Sequence, residues 1–194
     1  MTAVSESQDD AMTLLQEAGA VLTGHFQYAS GRHGDTYIEK FRLLEKPRVT
    51  EALCRQLADH FRPLRPELVV GPTTGGILLA HETAKHLGDS VKAFFAERAE
   101  DGGRYLGRGF AVEPGQSVLV VDDVLTTGGS VRDTLAAVID AGGRPMGVGL
   151  VVDRTNGSTS FGELETFACL AVDVASYDPA DCEICEAGVE LTIT

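Results

Sequence analysis

Residues 118–130, VLVVDDVLTTGGS, constrain this chain more than any other stretch. Val118, Leu119, Val120 and Val121 have the length and β-branched character of a strand buried on both faces, as in the middle of a parallel sheet. Asp122 and Asp123 follow. Adjacent carboxylates are costly inside a buried strand, so the chain is expected to surface here, at the carboxyl end of the strand, where open α/β sheets bind ligands. Thr126, Thr127, Gly128, Gly129 and Ser130 come next, small residues that let hydroxyls and backbone amides converge. Residues 131–143, VRDTLAAVIDAGG, then read as a helix with Val131, Leu135, Val138 and Ile139 on one side and a stop at Gly142-Gly143.

A strand, an acidic pair, a hydroxyl and glycine loop and a helix start together describe a phosphate cradle with carboxylates beside it. Amides at a helix amino end favour a phosphate, and glycines allow its close approach. Carboxylates repel phosphate, so their partners are sugar hydroxyls or a magnesium ion. A phosphorylated sugar therefore fits better than a bare nucleoside. Neither GxxxxGK[ST] nor a GxGxxG following a strand occurs, which removes two other phosphate-binding readings.

The rest of the chain repeats the pattern. From Asp10 a helix is expected through Met12, Leu14, Leu15 and Ala18 to about Gly19, with residues 1–9 frayed. Residues 24–40, GHFQYASGRHGDTYIEK, interleave Phe26, Tyr28 and Tyr37 with Ser30, Gly31, Arg32, His33 and Asp35, a composition suited to packing on a flat ring beside a turn that offers amides. Residues 49–61 read as a helix, with His60 at the surface or the core edge. Leu68, Val69 and Val70 form a short strand ending in GPTTGG, and residues 77–87 follow as a helix. Residues 91–95 form another strand. It leads through Ala96, Glu97 and Arg98 into AEDGGRYLGRG, whose glycines and charges suit a mobile flap. Residues 146–152 are a further strand closing on Asp153 and Arg154, whose planar fork would pair with a carboxylate or carbonyl oxygens. Residues 164–174 supply a last strand, and the tail from Ala175 is unassigned. Alternating strands and helices imply an α/β fold: a parallel twisted sheet with helices on both faces and ligand loops along one edge.

At 194 residues, 43% of them hydrophobic and 22 glycine, the chain suits one domain with a substantial core. Its net charge of −13 argues against sequence-independent binding to nucleic acid or to a membrane surface, and means that a phosphate-rich substrate needs local cations. No stretch has the ~20 apolar residues of a membrane span, and the polar amino terminus does not read as a secretory signal, so a cytoplasmic location is expected. Of four cysteines, Cys182 and Cys185 form C-x-x-C, half of a zinc ligand set. Cys54 and Cys169 stand alone, and no second C-x-x-C or close histidine completes the set. Reduced thiols are the preferred reading.

The central run resembles the ribose-phosphate signature of type I phosphoribosyltransferases. The Phe26 to Tyr37 segment, GPTTGG, FFAER, VVDDVLTTGGSV and VVDR occur in the order found in the orotate phosphoribosyltransferase family, over roughly residues 20–155. The resemblance implies a transfer of the phosphoribosyl group of phosphoribosyl pyrophosphate to orotate, giving orotidine 5′-monophosphate and pyrophosphate. A phosphoribosyltransferase for another base, or a regulator that senses phosphoribosyl pyrophosphate with the same fold, are the alternatives. By resemblance, Asp122 and Asp123 hold the ribose hydroxyls, and Val124, Leu125, Thr126, Thr127, Gly128, Gly129 and Ser130 hold the 5-phosphate. Thr73, Thr74 and Gly75 meet the pyrophosphate, Arg98 acts from the flap with the two aspartates, and Thr126, Arg154 and Phe26 meet orotate. No metal is held by the protein alone, and Mg²⁺ is expected through the substrate pyrophosphate. A single domain is implied, with residues 1–45 and 175–194 forming a small hood, and a homodimer in which each flap covers the neighbouring site. The chain departs from the family where lysines or a histidine are common: Ala29, Gly75 and the flap positions, including Asp101, carry none of them. Arg98, Arg104 or Arg108 is left to supply the flap cation.

Overall fold

The computed structural model describes residues 2–28, 30–100, 102–172 and 175–194; Ala29 and Asp101 lie outside them. Helix α1 spans Thr2–Glu17, followed by strands β1 (Val21–Gln27) and β2 (His33–Ile38) and helices α2 (Lys40–Leu44) and α3 (Pro47–Phe61). Then come β3 (Leu68–Pro72), α4 (Gly75–Leu87), β4 (Lys92–Arg98), β5 (Arg104–Tyr105), β6 (Ser117–Leu125), α5 (Gly129–Asp140), β7 (Arg144–Asp153) and β8 (Glu165–Ala171). The tail holds α6 (Glu183–Glu186) and β9 (Leu191–Ile193).

Six strands form the main sheet in the order β5-β4-β3-β6-β7-β8. Five run parallel and β5 turns back antiparallel on the end of β4. Strand alternation sorts the core into two layers. Val69, Leu119, Val121 and Val151 share one apolar cluster with Leu53 and Leu57 of α3 and Leu79 and Ala80 of α4. Leu68, Val70, Val118, Val120 and Leu150 pack instead with Val131, Leu135 and Val138 of α5. Helix α3 is built for this role: Pro47 occupies its first turn, and Val49, Leu53, Leu57 and Phe61 form one buried row beside Thr50, Cys54 and Ala58.

Three details differ from the sequence reading. Helix α1 starts at Thr2, not Asp10, because TAVSESQDD contains neither Gly nor Pro to interrupt it. Its Ala11 and Leu15, with Ala18 just beyond it, join the main core with Cys169 and Leu170, so this helix covers the sheet. Ile139 is 59% exposed: each residue turns about 100° around a helix, which carries it off the face that Val138 buries. Finally, the acidic pair lies within β6, which continues to Leu125.

A second, three-stranded sheet stands over the carboxyl edge, ordered β2-β1-β9. Strands β1 and β2 form an antiparallel hairpin, and β9 adds parallel to β1 with His25 opposite Leu191 and Gln27 opposite Ile193. A bridge between His33 and Tyr177 ties the start of the tail to β2 as well.

Candidate active site

The loops after β3, β4, β6 and β7 all leave the carboxyl edge of the main sheet, and the small sheet closes over them. Between them lies a cavity of about 470 Å³ lined by Tyr28, Ser30, Tyr37, Ile38, Lys40, Asp123, Val124, Thr126, Thr127, Arg154, Ser176 and Thr194.

Asp122 and Asp123 are only 6% and 4% exposed, although they are consecutive carboxylates inside a strand. Three arrangements make this tolerable. The Asp123 amide donates to Asp122 Oδ1 at 2.8 Å, and the Val124 amide donates to Asp123 Oδ1 at 2.8 Å. Lys40, the first residue of α2, places Nζ 3.2 Å from Asp123 Oδ2. Ser130 hydrogen-bonds Asp122 from the first turn of α5. Burial still pushes the Asp122 carboxyl up to about 6, the neighbouring Asp123 charge adding to the effect while the amide, Lys40 and Ser130 oppose it. Gly75 leaves room for this carboxylate: a Cβ there would meet Asp123 Oδ2, and the aspartate side chain would have to shift.

The 126–130 loop turns into α5 through Gly128, whose φ of 80° is a left-handed conformation that a residue with a Cβ adopts only under strain. Thr126 and Thr127 sit on the cavity wall, with the amino end of a twelve-residue helix beyond them. That is the geometry of an anion site. Leu125 differs from its neighbours in pointing its side chain into the core, at 1% exposure. Across the cavity Arg154 lays its guanidinium 4.4 Å from the Tyr28 ring centroid. Its amide donates to Leu125 O at 3.0 Å, fixing the two strand ends together. Asp153 holds the following turn by accepting from the amide and hydroxyl of Thr155, both at 2.7 Å, and from the Gly157 amide at 2.9 Å. Tyr28 is itself fixed by donating its hydroxyl to Thr36 O at 2.6 Å.

On the flap side Arg104 is the cation that reaches inward. Its guanidinium donates to Ala96 O at 3.0 Å, Thr73 Oγ1 at 3.2 Å and Ser130 Oγ at 3.2 Å, joining the 73–76 loop to the 126–130 loop. A continuous polar chain thus runs from Arg104 through Ser130, Asp122 and Asp123 to Lys40. Arg98, favoured in the sequence, is exposed at the end of β4 opposite Arg104 in the strand pairing. Arg108 is occupied by Glu97, which accepts from its Nη2 at 2.8 Å. Antiparallel pairing of β5 explains the difference: a two-residue strand folds the flap back so that Arg104 points over the sheet edge.

Of the residues singled out in the sequence, Asp123, Val124, Thr126, Thr127 and Arg154 share one cavity, and Thr73, Ser130 and Asp122 adjoin it through Arg104. Thr74 and Gly75 lead into α4 at the end of β3. Gly128 and Gly129 form the start of α5. Phe26 does not line the cavity: it is 6% exposed and stands behind Tyr37, ring centroids 5.7 Å apart. Lys40 went unassigned in the sequence, though its place three residues after Tyr37 at the end of the aromatic segment was a usable signal. Ser176 and Thr194 carried no signal at all, since the bridge of Tyr177 to His33 brings the first to the site and the pairing of β9 with β1 brings the second.

Sheet order, acidic couplet and helix-start loop define a phosphoribosyltransferase, and residues 42–160 match the phosphoribosyl transferase domain model. The chain is 45% identical over 183 residues to orotate phosphoribosyltransferase of Pelotomaculum thermopropionicum, covering 94% of each chain. It is 41% identical to that of Desulforamulus reducens, again over 94% of each. A crystal structure of Mycobacterium tuberculosis orotate phosphoribosyltransferase superposes with a TM-score of 0.69 at 25% identity, covering 86% of this chain and 97% of that one. The chain belongs to the orotate phosphoribosyltransferase family.

Proposed function

We propose that this chain transfers the phosphoribosyl group of 5-phosphoribosyl 1-pyrophosphate to orotate, yielding orotidine 5′-monophosphate and pyrophosphate in pyrimidine biosynthesis. The observation that carries the reading is one cavity with two kinds of wall. One wall holds Asp123 of the acidic couplet and the hydroxyl-bearing loop; the other holds Arg154 over the Tyr28 ring.

In this reading the 5-phosphate sits at the amides and hydroxyls of the 126–130 loop, and Asp122 and Asp123 accept hydrogen bonds from the ribose hydroxyls. Orotate lies between Tyr28, Tyr37 and Arg154, whose guanidinium fork meets its carboxylate or ring carbonyls. Breaking the anomeric bond develops positive charge on the sugar and negative charge on the departing pyrophosphate. Buried carboxylates stabilise the first, and Arg104, at the junction of the 73–76 and 126–130 loops, stabilises the second. Orotate is already an anionic nucleophile, so the protein's contribution is positioning and charge compensation and not proton transfer. The hard carboxylate oxygens of Asp122 and Asp123 suit Mg²⁺ carried on the substrate, which would supply further neutralisation of the pyrophosphate.

The test is pyrophosphate release from phosphoribosyl pyrophosphate and Mg²⁺ in the presence of orotate, uracil, hypoxanthine or adenine in turn. Turnover with orotate alone supports the assignment, and turnover with a purine alone rejects it.

A further inference from the structure

Outside the cavity, one cluster of side chains has no part in the chemistry above. Strand β1 supplies His25, β2 supplies His33, and the C-x-x-C of the tail supplies Cys182 and Cys185, with all four donor atoms within 4.8 Å of one another. Three of the four residues are buried: His25 at 3%, His33 at 5% and Cys182 at 1% exposure. The sequence could not show this set, because its histidines lie far from the cysteines: Cys182 is 157 positions from His25, and Cys185 is 152 from His33.

We propose that these residues form a structural zinc site, Cys₂His₂, that staples the tail to the β1–β2 hairpin. The spacing is the first argument. His25 Nε2 lies 3.1 Å from His33 Nδ1, 3.5 Å from Cys182 Sγ and 3.6 Å from Cys185 Sγ, and Cys185 Sγ lies 3.3 Å from His33 Nδ1. A regular tetrahedron with Zn–N of about 2.05 Å and Zn–S of about 2.3 Å has N···N and N···S edges of about 3.3 and about 3.6 Å. Four of the six donor-to-donor edges therefore lie within a few tenths of an ångström of those of a zinc tetrahedron, and the other two are within 4.8 Å.

The hydrogen bonds of the cluster point the same way. His25 Nδ1 donates to Val189 O at 2.9 Å, which fixes the tautomer and leaves Nε2 with a single lone pair directed into the cluster. Three groups converge on that lone pair, His33 Nδ1 and both sulfurs, and it can accept from only one of them. A cation at the centre satisfies all four donors at once. The Val189 carbonyl is then the outer-sphere partner that zinc-bound histidines ordinarily have. Two thiolates and two imidazoles in a closed tetrahedral set select zinc over the hard, six-coordinate ions. Binding releases the two thiol protons to solvent, and the ion's charge is balanced by the thiolates. No oxidation state changes.

The site is remote in chain position but adjacent in architecture. It joins the hairpin that carries Tyr28, Ser30 and Tyr37 to the tail that carries Ser176 and Thr194, all of them cavity residues. The experiment is metal analysis of the full-length protein purified without chelator, followed by metal removal and reconstitution with Co²⁺. Zinc at about one per chain, with a thiolate-to-cobalt charge-transfer band and tetrahedral visible bands on reconstitution, is the expected result. Chelation should lower Tm, added Zn²⁺ should restore it, and His33→Ala should lose the metal while His60→Ala keeps it. The cobalt spectrum is read on the unmutated chain, so a variant that fails to fold does not remove the test. Protein free of zinc with Cys182 and Cys185 joined as a disulfide overturns the proposal. So does stoichiometric iron in place of zinc, or a cobalt spectrum lacking the charge-transfer band.

Discussion

At the scale of single residues, Asp122 is the point where stability and function oppose each other. Its folded-state carboxyl is pushed up to about 6, above the ordinary aspartate value, so the fold favours the protonated form. The stabilisation that goes with that preference is complete at acid pH and is lost as pH rises from about 4 to about 6, leaving a cost on the order of 3 kcal/mol at neutral pH. Asp122→Asn is therefore expected to raise Tm near pH 7.5, with the advantage shrinking as pH falls towards 4, while turnover drops at least 100-fold. Thermal melts across that pH range check the first part, and a variant with lower Tm at pH 7.5 contradicts it. Arg104 and Arg98 give a second contrast. Arg104→Ala removes the donor shared by Thr73 and Ser130 and should lower kcat/KM for phosphoribosyl pyrophosphate about 100-fold, roughly 2.7 kcal/mol, whereas Arg98→Ala should change it less than threefold. At this scale the sequence located residues whose chemistry is tied to a local motif, as for Asp123, Thr126 and Arg154, which line one cavity. It did not show that Arg98 stands exposed or that Phe26 lies behind the cavity wall, because their orientation depends on how β5 pairs and on which face of β1 turns inward.

At the scale of elements, the central strand and the tail teach different lessons. Aliphatic runs separated by glycine loops located β3, β6 and β7 because a strand buried on both faces leaves an unbroken apolar signature. Leu119, 1% exposed in β6, should cost about 3 kcal/mol when cut to Ala, whereas Ile139→Glu on the outer face of α5 should cost less than about 0.5 kcal/mol; urea unfolding distinguishes them. The end of β6 was placed too early because two adjacent carboxylates look incompatible with a buried strand, and the amides, Lys40 and Ser130 that make them compatible come from three separate elements. Strand β9 carried no pattern, with all three of its residues exposed. Its partner is β1, at the other end of the chain, and its value is positional: the Thr194 amide donates to Gln27 O at 3.1 Å and brings Thr194 to the cavity. Deleting residues 190–194 should raise the orotate KM more than tenfold with a smaller effect on the KM for phosphoribosyl pyrophosphate. Equal rises in both would contradict a role confined to the base side.

At the scale of the whole molecule, an acidic chain places cations at the cavity where anions must bind. Against a net charge of −13, Lys40, Arg104 and Arg154 are held at or beside the cavity, and Arg132 and Arg32 donate to its Thr127 and Ser176. Among the described residues no helix is long and apolar enough to cross a membrane. A homodimer remains our proposal for the assembled state, and sedimentation velocity yielding twice the 20.6 kDa chain mass would support it. In the proposed function the acidic couplet grips a phosphorylated sugar beside a base held by Arg154. The most direct measurement is the rate of orotate consumption, followed by its ultraviolet absorbance with phosphoribosyl pyrophosphate and Mg²⁺, for the unmodified chain and for the folded Arg154→Ala and Asp123→Asn variants. Rapid consumption that falls at least 100-fold in both variants is the predicted result; orotate left unconsumed by the unmodified chain, or consumed equally by all three, would contradict it.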